Sequence, residues 1–116
     1  MNNYFKNDII LLRYPFTDLS VFKVRPAIIV SGTFPSNDII IVPLTSKFNN
    51  LLSGEFVMKH WKESGLNTVT AVKRGLFTID NRLIIQKIGV ALEIDTIALD
   101  NSIKYWLALD STKKSN

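Results

Sequence analysis

The chain has 116 residues, of which 47% are hydrophobic; that is enough for one domain with a real core, without help from a disulfide or a structural metal. It contains no cysteine, which removes disulfides, zinc–thiolate sites and cysteine nucleophiles, and which suits a reducing compartment. A net charge of +4 and a pI of about 9.5 favour a polyanionic partner, nucleic acid or an acidic protein, although an ordinary solvated surface explains so small an excess nearly as well.

The N-terminal segment carries charge on both sides of a short apolar run at residues 9–12. That is neither a signal peptide nor a span long enough to cross a bilayer, so we expect a soluble cytoplasmic protein with no membrane partner. Further runs rich in isoleucine and valine follow at residues 27–30, 39–42, 56–58, 69–72 and 83–85. Turn formers separate them, among them Ser31-Gly32, Ser53-Gly54, Ser64-Gly65 and Asp80-Asn81. Short β-branched runs between turn signals predict the strands of a barrel or sandwich. Several runs are continuous rather than alternating, which predicts strands buried on both faces.

The connection at residues 48–52 carries apolar side chains, either tucked against the core or waiting for a partner. From Glu93 the period changes. Leu99, Ile103, Trp106 and Leu107 recur at helical spacing, with Asp95 or Thr96 as candidate caps. This predicts a terminal helix that lays its apolar stripe on the sheet. Residues 111–116 are polar and read as a frayed tail. With no linker or repeat, residues 1–116 read as a single domain.

Familiar catalytic constellations are missing. His60 is the single histidine and reads as a surface residue. The acidic residues are scattered, so no metal site and no cofactor are expected, and a two-metal nuclease is disfavoured. What remains are basic and hydroxyl residues beside strands. Arg25 precedes Pro26, which restricts it to extended backbone at a strand entrance. Thr45 and Ser46 follow the run at 39–44, where hydroxyls cap turns or bind phosphate oxygens. Taken singly, each is an ordinary surface arginine or turn cap. An arginine fork does match a phosphate bidentately.

The order of motifs resembles the MazF/PemK family. Asp8-Ile9-Ile10-Leu11, Tyr14-Pro15-Phe16-Thr17-Asp18 and Arg25-Pro26-Ala27-Ile28-Ile29-Val30 resemble its G-D-[IV]-[VI], P-F-[ST]-[DN] and R-P-A-[VL]-[VI] segments. Ile41-Val42-Pro43-Leu44-Thr45-Ser46 resembles its [VI]-x-P-[IL]-T-S strand end. Leu76-Phe77-Thr78-Ile79-Asp80, Ile88-Gly89 and Trp106-Leu107 resemble later segments. The resemblance covers nearly the whole chain. It departs at Asn7, where the family often has glycine, at Arg74, where it often has an acid, and in the apolar loop Ser20-Val21-Phe22-Lys23-Val24.

The resemblance implies a mainly β, SH3-like barrel with a C-terminal helix packed on the sheet, as a homodimer. It implies a metal-independent endoribonuclease that cuts single-stranded RNA at short motifs and is neutralised by an antitoxin. The family's key arginine falls on Arg25 and its key threonine on Thr45. Ser46, Phe16, Thr17, Lys23, Lys47, Lys73 and Arg74 are the accompanying RNA-binding candidates. The implied reaction is attack of an RNA 2′-hydroxyl on the adjacent phosphate, with Arg25 stabilising charge rather than acting as a base. A basic groove of this kind would be met by an acidic and apolar antitoxin segment, with an acid opposite Arg74. Two alternatives stay open: a non-catalytic binding protein on the same barrel, and a toxin directed at a topoisomerase.

Overall fold

Ile9 and Ile10 are both fully buried, although neighbouring side chains of a strand point to opposite faces. In the computed structural model, which describes residues 3–14 and 23–109, they belong to β1 (Asp8–Tyr14), which pairs antiparallel on both edges. A strand with a core on each side needs continuous apolar sequence, and this is why the run does not alternate.

Around it the chain lays β2 (Lys23–Ile29), β3 (Asp38–Thr45), β4 (Phe56–Val57), β5 (Ala71–Val72), β6 (Phe77–Asp80), β7 (Ile84–Val90) and α1 (Glu93–Trp106). The strands run in the order β4-β5-β3-β2-β1-β7, with β6 paired to the first half of β3. This is the mainly β architecture with one terminal helix that the sequence predicts. One face of the sheet gathers Ile9, Ile28, Val42 and Leu44 with Met58 and Leu99. The other gathers Ile10, Leu12, Ala27, Ile29 and Ile41. Each buried isoleucine or leucine contributes roughly 1.5–3 kcal/mol.

β2 begins four residues ahead of the apolar run, because Arg25 and Lys23 extend it as exposed strand residues. β5 is shorter than its run, since Val69 is 44% exposed and lies outside it. β7 continues to Val90, well beyond residue 85.

The helix packs as predicted through Leu99, Ile103 and Trp106, but Leu107 is half exposed just past its end. Its start differs from expectation. It begins at Glu93 after Leu92, with no side-chain cap. Asp95 instead turns inward, where its carboxylate accepts the amides of Lys59 (2.8 Å) and His60 (2.9 Å). Those two amides, held in the turn after β4, outcompete the helix's own first amides. At the other end of α1, the Ser102 hydroxyl donates to the Gly54 carbonyl (2.7 Å) and the Trp106 indole N–H to the Ser53 carbonyl (2.9 Å). Gly54 has φ +87, and a Cβ there would overlap the Trp106 indole, so only glycine fits. Among the described residues no helix is long and apolar enough to cross a membrane. The tail at 111–116 lies outside the described residues.

Candidate nucleic-acid interface

The ladder between β2 and β3 runs from Ile29–Ile41 to Ala27–Pro43 and stops there, although both strands continue. β3 gives its last residues to β5, pairing Leu44 with Val72 and Thr45 with Ala71. The strands therefore fork. Arg25 lies two residues before Ala27 and Thr45 two residues after Pro43, the last pair of that ladder, and residues two apart on a strand share a face. The two residues singled out from the sequence, twenty positions apart, stand on facing strands at the mouth of this fork.

Arg25 is exposed, and its Nη1 donates to the Val24 carbonyl (3.1 Å). On β1 its ladder partner is Leu12, with Tyr14 opposite Lys23 on the same face. Burial raises the Tyr14 phenol above its usual pKa, and the nearby Arg25 charge opposes that rise. The Thr45 hydroxyl accepts the Lys47 amide (3.0 Å) and donates to the Lys47 carbonyl (3.1 Å). It is thus a turn cap, as its position alone suggested, and it holds Lys47 beside the fork. A phosphate oxygen that took its proton would displace the Lys47 carbonyl.

Thr45, Lys47, Glu55 and Lys73 line a cavity of about 200 Å³ on this side, with Phe48 and Leu51 as apolar wall. Of the apolar residues in the 48–52 connection, Phe48 and Leu51 therefore border a cavity rather than join the core, and Leu52 is half exposed. Lys73 donates its amide to the Pro43 carbonyl (2.9 Å), which brings it to the fork. Arg74 follows it, with an exposed side chain. Among the described residues, Lys23, Lys47, Lys73 and Arg74 are in no ion pair.

Glu55 went unnoticed in the sequence, where it sits in no motif. Its carboxylate accepts the amides of Leu52 (2.7 Å) and Arg74 (2.8 Å). Burial pushes its pKa up, but those two amides and the charges of Lys73 and Arg74 outweigh burial and hold it below the usual value. An acid thus stands at the Arg74 backbone after all, contributed by another segment.

Ser46 departs from its neighbour. It lines a second cavity, of about 380 Å³, with Leu11, Pro26, Asn67, Thr68 and Gln86. Among the described residues no charged one lines it. His60 lies in the turn after β4, with Nδ1 3.6 Å from Glu63 Oε1, as befits a surface residue. Phe16 and Thr17, and with them most of the apolar loop before Arg25, lie outside the described residues. Among the described residues no three histidine, aspartate or glutamate side chains converge to hold a metal.

No family model matches the sequence, and no curated protein matches it. Solved structures do. An endoribonuclease in complex with its cognate antitoxin, from a mycobacterial species, superposes with TM-score 0.75 at 14% identity over 91% of this chain and 96% of that one. A second mycobacterial endoribonuclease gives 0.73 at 17% identity over 95% and 96%. The Mycobacterium tuberculosis toxin MazF-mt6 gives 0.72 at 21% identity over 89% and 98%. Superposition end to end on these three gives this chain the fold of the MazF toxins.

Proposed function

We propose that the chain is an endoribonuclease toxin that cuts single-stranded RNA at short motifs, without a metal, and is neutralised by a cognate antitoxin. The observation that carries this is the fork: within a MazF-type fold, Arg25 and Thr45 lie on its two arms, beside lysines that make no ion pair among the described residues.

The RNA supplies its own nucleophile. Its 2′-oxygen attacks the adjacent phosphorus as the P–O5′ bond breaks. The 2′-hydroxyl proton is lost and the 5′-oxygen gains one, leaving a 2′,3′-cyclic phosphate and a 5′-hydroxyl. Such a reaction needs charge stabilisation and proton transfer, and no protein nucleophile. The planar Arg25 fork suits the charge that builds on the phosphorane oxygens. Thr45 suits a phosphate oxygen, at the expense of its bond to the Lys47 carbonyl. Lys23, Lys47 and Lys73 would track the backbone through phosphate contacts.

We further infer a cytoplasmic homodimer, whose antitoxin covers the cationic fork with acidic and apolar side chains. One neighbour is described in complex with its antitoxin, which supports that partner class. The rival reading, binding without turnover, draws on the commitment of the Thr45 hydroxyl to Lys47. A cleavage assay in EDTA separates the two. Single-stranded RNA should be cut to fragments ending in cyclic phosphate and 5′-hydroxyl, and RNA with a 2′-deoxy sugar at the cut should survive. Intact RNA supports binding alone, and strict dependence on magnesium or manganese points to another class of nuclease.

A further inference from the structure

The larger cavity plays no part in the chemistry just described. We propose that it is a nucleobase pocket, which reads one base of the RNA beside the cleaved phosphate. The proposal rests on the ribonuclease reading and supplies its sequence preference.

Position is the first argument. Pro26 and Ser46, which line the cavity, directly follow Arg25 and Thr45. Consecutive strand residues point to opposite faces, so at β2 the cavity lies on the face away from Arg25, and Ser46 follows Thr45 just past the end of β3. No ladder joins β2 to β3 beyond Ala27–Pro43, so no strand pairing closes the fork between the two faces. A nucleotide straddling the fork places its phosphate at Arg25 and its base in the cavity.

The lining is the second argument. Among the described residues no charged side chain lines the cavity, so none of them neutralises a phosphate there, while Lys47 and Lys73 line the other cavity. The Ser46, Asn67 and Gln86 side chains line it and make no hydrogen bond among the described residues. A carboxamide presents a donor and an acceptor side by side, the pattern that matches a base edge. Leu11, Pro26 and Ile88 offer apolar surface to the base faces. Specific recognition of single-stranded RNA works in this way, on unstacked bases read at their edges. The volume, about 380 Å³, falls at the small end of ligand pockets, which run from about 300 to 1,000 Å³.

The wall is also fixed in advance. The Thr70 hydroxyl donates to the Thr68 carbonyl (2.8 Å) and the Leu66 amide to the Trp61 carbonyl (3.1 Å). Gly65, at φ +97, lies so close to Ile88 that a Cβ would overlap the Ile88 carbonyl.

The test uses short single-stranded oligonucleotides with 2′-fluoro sugars, which bind without being cut, and varies one base at a time. The wild-type chain should prefer one base at one position by about tenfold or more. Asn67→Ala and Gln86→Ala, both at exposed positions, should flatten that preference to within about threefold. The salt dependence, which reports phosphate contacts, should stay unchanged. A preference that survives in both variants, or a wild type that binds every base alike, overturns the pocket and leaves the ribonuclease reading standing. Absence of any binding at low salt overturns both.

Discussion

The junction of α1 with the rest of the chain and the fork between β2 and β3 use similar polar groups in opposite ways. At the junction, the Asp95 carboxylate holds two amides, Ser102 reaches the Gly54 carbonyl and the Trp106 indole reaches Ser53. Each group is matched within the chain. At the fork, among the described residues, Lys23, Lys47 and Lys73 are in no ion pair, and the side chains of Ser46, Asn67 and Gln86 line a cavity without hydrogen-bond partners. Matched polar groups stabilise a fold, whereas unmatched ones at a surface opening are available to a ligand. Thr45 and Glu55 belong to both kinds: each fixes a local turn while lining the cationic cavity.

If that contrast is right, the two regions fail differently. Asp95→Ala leaves two amides of the turn after β4 unpaired in a site where Asp95 is 3% exposed. It should cost about 3 kcal/mol or more, read as a lower midpoint in denaturant unfolding. The variant's folded fraction should bind RNA as the wild type does. A loss under about 0.5 kcal/mol would mean that the junction does not depend on this carboxylate.

Lys47→Ala and Lys73→Ala should show the reverse. Each should weaken RNA binding several-fold at low salt for every sequence alike, and lower the slope of log affinity against log salt by about 0.7. Their unfolding midpoints should hardly move. A fall in stability with unchanged affinity would transfer these lysines from function to structure.

The smallest effect is local and depends on pH. Glu55 titrates below its usual 4.5, so its hold on the Leu52 and Arg74 amides is complete above that value and is lost as the pH falls through the lowered one. Nuclear magnetic resonance shifts of these two amides should stay constant down to pH 4.5 and move together below it. Titration above 4.5 would show that the surrounding amides and cations do not favour the charged form.

Much of this was legible in the sequence, and for physical reasons. β1 and β3 announce themselves because burial on two faces demands unbroken isoleucine and valine. The Leu99–Ile103–Trp106 spacing betrays α1 because a helix must bury one stripe. β6 was read only as part of a motif: in Phe77–Asp80 a single residue, Ile79, is fully buried, which leaves little hydrophobic pattern to follow. Asp95 was read as a cap because local chemistry allowed it, and its true partners lie some thirty-five residues away. Sequence separation also hid Glu55, whose partner Arg74 is 19 residues away, and the cavity residues Asn67 and Gln86, which meet Pro26 and Ser46 only in the folded chain. Asn7 stands where the family that the sequence resembles often has glycine. The φ of +77 at Asn7 shows why glycine is at home there, and its buried Oδ1 has no hydrogen-bond partner among the described residues.

The most direct test of the central claim is the rate of single-stranded RNA cleavage by Arg25→Ala, in EDTA, on a sample shown by its melting curve to be folded. Arg25 is exposed and bonds only to its neighbour's carbonyl among the hydrogen bonds described, so its removal should leave the fold intact. If the guanidinium stabilises the phosphorane, cleavage should fall by about 100-fold or more. Arg25→Lys should recover little of that, because a point charge does not replace a planar fork. Undiminished cleavage by folded Arg25→Ala would contradict the assignment of the fork as the reacting site.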